Sequence, residues 1–115
     1  MAYDETLAQR IRAVLSDRTG IAEKKMFGGL AFLVRGHMCC GIVGRDLMVR
    51  VGPEQHEQAL AEKFARVMDF TGRPSKGMVY VAPEGVRTDK ALRDWIARGL
   101  RFAETLPPSG SFLSA

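Results

Sequence analysis

The sequence has little of what metal-bound or thiol chemistry needs. Its 115 residues include two cysteines and two histidines, and no C-x-x-C pair occurs. The usual sequence of a thioredoxin-like redox motif is thus missing, and His37 with Cys39 on one strand face offers two at most of the four ligands a zinc centre needs, unless a dimer supplies the others. Both G-x-x-x-x-G-K-[ST] and G-x-G-x-x-G are missing, which removes the P-loop and the dinucleotide fingerprint. No stretch approaches the roughly 18 uninterrupted apolar residues of a membrane span, and "MAYDETLAQR" is too acidic and polar for a signal peptide. The expectation is a cytoplasmic protein with reduced cysteines and no membrane partner. The net charge of +4 is mildly basic, below what neutralising many phosphates would ask of a dedicated nucleic-acid binder.

What is present describes one globular domain. A composition 46% hydrophobic and 26% charged is neither disordered nor membrane-like, and a chain of this length can fill one core without staples. Residues 1–107 read as a single domain, with 108–115 expected to form a mobile tail.

After Asp4, a good N-cap, Leu7, Ile11, Val14 and Leu15 recur at helical spacing, which predicts an amphipathic helix ending near Thr19-Gly20. From Lys24 to Val51 the chain turns to β-branched and aromatic residues broken by "GG", "RG" and "GRD". That pattern predicts an antiparallel meander of three or four short strands. The paired Gly28-Gly29 read as a bulge or bend between strands rather than a phosphate cradle. Pro53 opens a short helix carrying Leu60 and Phe64. "RVMDF" and "GMVYVA" read as two more strands around a "TGRPSKG" loop. Thr88 caps a last helix whose buried face is Leu92, Trp95, Ile96 and Ala103, stopped by Pro107-Pro108. The order α-β-β-β(-β)-α-β-β-α predicts an α+β fold: helices against an antiparallel sheet of five to six strands, not a doubly wound nucleotide-binding fold.

Two assumed turns set the register of the meander. With Arg35-Gly36 at the centre of the first, Phe32 faces Cys39 and Ala31 faces Cys40. With Arg45-Asp46 at the centre of the second, Ile42 faces Val49. One face then carries Ala31, Leu33, Met38, Cys40, Ile42, Leu47, Val49 and Val51, and is predicted to lie under the helices. The other carries Leu30, Phe32, Val34, His37, Cys39, Val43, Met48 and Arg50. It is more apolar than a water-facing sheet normally is, so it is the candidate face for a second copy or another partner. Neighbouring strand residues point to opposite sides, so Cys40 is expected in the core and Cys39 on the partner face. Both are expected to act as small packing hydrophobes rather than as a metal or redox pair.

Few other residues suggest chemistry. Thr71, Arg73, Ser75 and Lys76 make a glycine-flanked, basic, hydroxyl-bearing loop that could receive an anion, with a plain solvated connection as the alternative. His56 reads as an exposed helix residue rather than a general base. The serines lack an activating context, and most carboxylates sit in or near first helical turns, where the dipole favours them. The last helix carries Arg87, Lys90, Arg93, Arg98 and Arg101, but Asp89, Asp94 and Glu104 interrupt the charge. A solvated face fits better than a nucleic-acid recognition helix. No catalytic constellation, metal site or cofactor is predicted.

The stretches "EKKMFGGLAFLVRGHMCCGIVGRDLMVRVGP" and "MDFTGRPSKGMVYV" resemble the N-terminal domain of the TfoX/Sxy family of competence regulators, a likeness covering about residues 3–107. The combination of "KKMFGG", "MCCG" and "DFTGRP" carries it. The resemblance implies a fold similar to type III secretion chaperones, commonly dimeric, and a role in switching on DNA-uptake genes. Full-length members add a helical C-terminal domain, and a stand-alone N-terminal domain is the expectation here. The functional expectation is a small cytoplasmic, non-enzymatic regulatory module, a homodimer acting through protein contacts, possible in a transcription complex. The competing expectation is a ligand-binding or enzymatic domain, with an anion site for nucleotide or nucleic-acid phosphate at residues 71–77 or a dimer-completed site around His37, Cys39 and Arg50.

Overall fold

The structure, a computed structural model, describes residues 3–26, 28–67 and 77–106. The element order is α1 (Glu5–Val14), β1 (Ile21–Met26), β2 (Gly29–Val34), β3 (His37–Val43), β4 (Asp46–Arg50), a 3-10 turn at Pro53–Gln55, α2 (His56–Leu60), β5 (Ala65–Val67), β6 (Met78–Val81), a second 3-10 turn at Pro83–Val86 and α3 (Asp89–Glu104). Six strands form one antiparallel sheet in the order β1-β2-β3-β4-β6-β5. This is the α+β architecture that the element order predicts.

Local chemistry accounts for the ends of the helices. The Asp4 carboxylate accepts from the amides of Thr6 (2.9 Å) and Leu7 (3.2 Å), satisfying two of the first-turn donors that a helix leaves unpaired. Thr88 does the same for Ala91 at 3.1 Å. The first helix ends at Val14 and runs out through a turn at 15–17, earlier than its apolar pattern predicts. Leu15 is still buried, because a turn carries it inward as well as a helix would.

Three rows cross all six strands. Two of them, Lys25-Leu30-Ile42-Leu47-Val81-Ala65 and Glu23-Phe32-Cys40-Val49-Val79-Val67, share one face. Their central residues join Leu7, Ala8 and Ile11 of α1 and Leu92, Trp95, Ile96, Leu100 and Ala103 of α3 in a single core. The helices therefore cover this side. At the sheet's outer edge, β1 carries Glu23, Lys24 and Lys25, all exposed, the charged edge that discourages strand-to-strand association.

The turns decide which residues reach the core. Arg35 (φ 52°) and Gly36 (φ 87°) are both left-handed, the hairpin geometry that matches strand twist, and Val34 pairs with His37 as expected. The second turn is centred on Gly44-Arg45, one residue earlier than expected, since Val43 pairs with Asp46. This slips the pairing by two residues, so every β4 side chain keeps its predicted face. The β2-β3 ladder differs more seriously. Leu33 pairs with Met38 but Phe32 pairs with Cys40, leaving Cys39 as an extra, unpaired residue: a β-bulge. A one-residue slip reverses sidedness, so beyond this point Leu30 and Phe32 belong to the core face and Ala31 to the open one.

Candidate functional site

The bulge changes the membership of both faces. Of the residues predicted for the partner face, Leu30, Phe32, Val34 and Cys39 are buried in the core beneath the helices. His37, opposite Val34, shares their side by register. Val43 and Met48 stand on the open face as predicted. Ala31, Leu33 and Met38, predicted for the core, join them there. Arg50 has the open face's parity, yet its guanidinium lies over the Phe102 ring of α3 at 5.1 Å and so is drawn to the helical side.

The third row, Lys24-Ala31-Gly41-Met48-Tyr80-Arg66, forms the centre of the open face. Ala31 and Met48 are fully buried, yet they are absent from the core cluster beneath the helices. Met48 lies across its neighbour: a Cβ on Gly41 would come within 2.8 Å of the Met48 Cε. The small Ala31-Gly41 pair makes a shallow floor, and the half-buried Leu33, Met38, Val43, Met78 and Tyr80 stand around it. No described helix packs over this surface. At one end Arg66 lies over the Tyr80 ring at 4.9 Å and bonds Asp46. Burial raises the Tyr80 phenol above its ordinary value against the opposing pull of the Arg66 charge. The site is therefore a flat apolar patch with a charged rim.

The two cysteines are both buried and unbridged. As the extra residue of the bulge, Cys39 turns to the same side as Cys40 instead of the opposite one. Its sulfur lies 3.9 Å from the Ile96 carbonyl in α3. A hydrogen bond with Cys39, and then burial, push the Cys40 thiol well above its ordinary value, which keeps it protonated and a poor nucleophile at neutral pH. Among the described residues no group of three or more His, Cys, Asp or Glu is placed to hold a metal ion.

The remaining candidates separate. Thr71, Arg73, Ser75 and Lys76 lie outside the described residues. His56 is half-buried rather than exposed, and its Nδ1 accepts from the Gly77 amide at 2.9 Å. Its position joins the start of α2 to the start of β6, a structural link that two residues 21 apart in sequence do not announce. On α3, Lys90 pairs with Asp94 at 2.8 Å and Arg98 with Glu62 at 3.0 Å. Asp94 is correspondingly held below its ordinary value, mainly by the Lys90 hydrogen bond. Internal pairing takes up part of the positive charge that a nucleic-acid recognition helix would present.

A family model described as the TfoX N-terminal domain matches residues 13–103. No curated protein and no solved structure matches the chain. The match covers α1 from Ala13 onward, all six strands and nearly the whole of α3. No described helix is long and apolar enough to cross a membrane.

Proposed function

Because the chain belongs to the TfoX N-terminal domain family, we propose that it is a small cytoplasmic regulatory module that acts by protein contact and not by catalysis. Its working surface is the open face of the sheet, and its first partner is a second copy of itself. The observation that supports this is the apolar row Ala31-Gly41-Met48-Tyr80 on the side that no described helix covers. Ala31, Gly41 and Met48 are themselves buried, so the apolar area offered to a partner is the half-buried ring of Leu33, Met38, Val43, Met78 and Tyr80 around them. A two-fold contact buries the same patch from both copies at once. The dimer then presents its charged rim and helices to a further protein, in this reading a component of a transcription complex.

Sedimentation velocity over a micromolar concentration series tests the proposal. The wild-type chain should show a monomer-dimer equilibrium. Leu33→Glu/Met38→Glu should shift it to monomer while keeping the far-ultraviolet spectrum and melting temperature, because neither side chain belongs to the helix-covered core. A wild-type chain that stays monomeric at every concentration sinks the proposal, as does a dimer indifferent to the double substitution. The transcriptional part has its own readout: the monomeric variant should lose reporter activation in the native host.

A further inference from the structure

A cleft of about 690 Å³ lies on the helical side, between the second half of α3 and the crossover from β4 to α2. Its floor is bonded to Gly77, the last residue of the "TGRPSKG" stretch. One wall is a stripe of α3, Arg98, Arg101 and Phe102, continued by its C-cap Thr105; the four follow the i, i+3, i+4, i+7 spacing that puts side chains on one helix face. The facing wall carries Gln55 and Gln58.

The shape is preformed. Gly52 has φ 87°, and a Cβ there would fall 2.4 Å from the Phe102 ring, so bare backbone packs against the Cδ1–Cε1 side of the ring. The amides of Val51 and Gly52 both donate to the Gly77 carbonyl, at 2.8 and 3.1 Å, which fixes this floor. Arg98 is held in place by stacking on Trp95 at 4.8 Å and by one hydrogen bond to Glu62. A guanidinium carries five donors, so most of its capacity remains available. Arg101 is exposed and faces the same space. Glu54 is the one acid among the described lining residues, and Glu62 pairs with Arg98 from beside the cleft, so the positive balance here comes from Arg50, a further cation behind the Phe102 ring.

We propose that this cleft binds a small organic anion with a planar apolar ring, a carboxylate or phosphate monoester held by Arg98 and Arg101 with its ring against Phe102. The volume falls in the range of about 300–1,000 Å³ typical of ligand pockets, whose walls join an apolar floor to a few convergent polar groups. Gln55, Gln58 and Thr105 supply neutral hydrogen-bonding groups, and the bidentate geometry of arginine suits either anion.

The test is amide chemical-shift titration of the full chain with four probes: benzoate, adenosine 5′-monophosphate, inorganic phosphate and benzyl alcohol. Benzoate or the nucleotide should move the signals of Gly52, Gln55 and Gln58 saturably. Phosphate, which lacks a ring, and benzyl alcohol, which lacks charge, should bind at least about tenfold more weakly. Arg101→Ala, a substitution at an exposed position, should weaken binding about tenfold with the melting temperature unchanged. Arg93→Ala, on the same helix and outside the cleft, should leave it intact. The proposal fails if neither aromatic anion moves these signals, if phosphate alone binds as well as benzoate, or if Arg101→Ala binds undiminished.

Discussion

Gly99 offers a sharp test of how the helices sit on the sheet. It lies inside α3, where replacing glycine by alanine should stabilise a helix by about 1 kcal/mol. The structure predicts the reverse. A Cβ at this position would stand 2.4 Å from the Cys39 carbonyl oxygen and 3.0 Å from its sulfur. The bulge lifts the Cys39 backbone towards α3, and glycine is what lets the helix lie against it. Restoring ordinary contact requires a relative shift of about 1 Å, and overpacking of a close-packed core costs about 1–3 kcal/mol. The obstructing atom is backbone, which cannot rotate away, so the upper part of that range applies. After subtracting the propensity gain, Gly99→Ala should be destabilised by about 1–2 kcal/mol, or about 4–8 °C in melting temperature.

Urea and thermal unfolding would measure this, with Ala97→Gly as the companion. Ala97 is exposed on the same helix, so its substitution should reveal the propensity contribution alone, about 1 kcal/mol of destabilisation. Cys39→Ala should not rescue Gly99→Ala, because the nearest contact is the carbonyl and not the thiol. If Gly99→Ala raises the melting temperature by as much as Ala97→Gly lowers it, the close approach of α3 to the bulge is refuted.

Other expected outcomes follow from the same contacts. Both cysteines should resist a thiol reagent at neutral pH until the chain is unfolded; fast labelling of Cys39 in the native protein would return it to the open face. Thr88→Ala should cost about 1 kcal/mol in urea unfolding through loss of the α3 cap, whereas Thr105→Ala, past the end of that helix, should cost less. Glu23, lowered from its ordinary value first by its hydrogen bond with Arg12, contributes stability that is present above the unfolded carboxylate range and lost as pH falls through the lowered value. Unfolding of Glu23→Gln should therefore differ from wild type most at neutral pH and low salt, and the gap should close in acid or in high salt; a gap that widens on acidification would contradict the pairing.

Much of the architecture was legible because local chemistry carried it. Asp4 and Thr88 cap the helices they were expected to cap, and Arg35-Gly36 forms the expected turn. Leu92, Trp95, Ile96 and Ala103 are all buried, because the spacing of apolar residues in α3 has only one helical solution. Sheet sidedness was legible only where an error could cancel. The β3-β4 turn was misplaced by one residue, which moves the pairing by two and leaves each side chain on its proper face. The bulge gave no such protection. In "HMCCGIV" nearly every residue is apolar or small, so no polar position marks the solvent side and both registers suit the pattern equally well.

The same bulge shapes both faces of the sheet. By adding one residue at Cys39, it sends both sulfurs under α3, turns Phe32 into the core and brings Ala31, Leu33 and Met38 to the open face. Without the bulge the open face would present Phe32 and Leu30, large side chains better suited to a deep core than to a flat contact. With it, the centre is the Ala31-Gly41 pair, shallow enough for another sheet or helix to approach. Gly99 records the same event from the other side, since a glycine in the middle of an otherwise good helix implies that something presses against it. That signal was present in the sequence. Its partner was not, because Cys39 and Gly99 are brought together only when the strand departs from regular pairing. The cleft beside Phe102 also depends on contacts distant in sequence: Gly52 and Phe102 are each unremarkable alone, and their close approach forms the floor that Arg98 and Arg101 overlook.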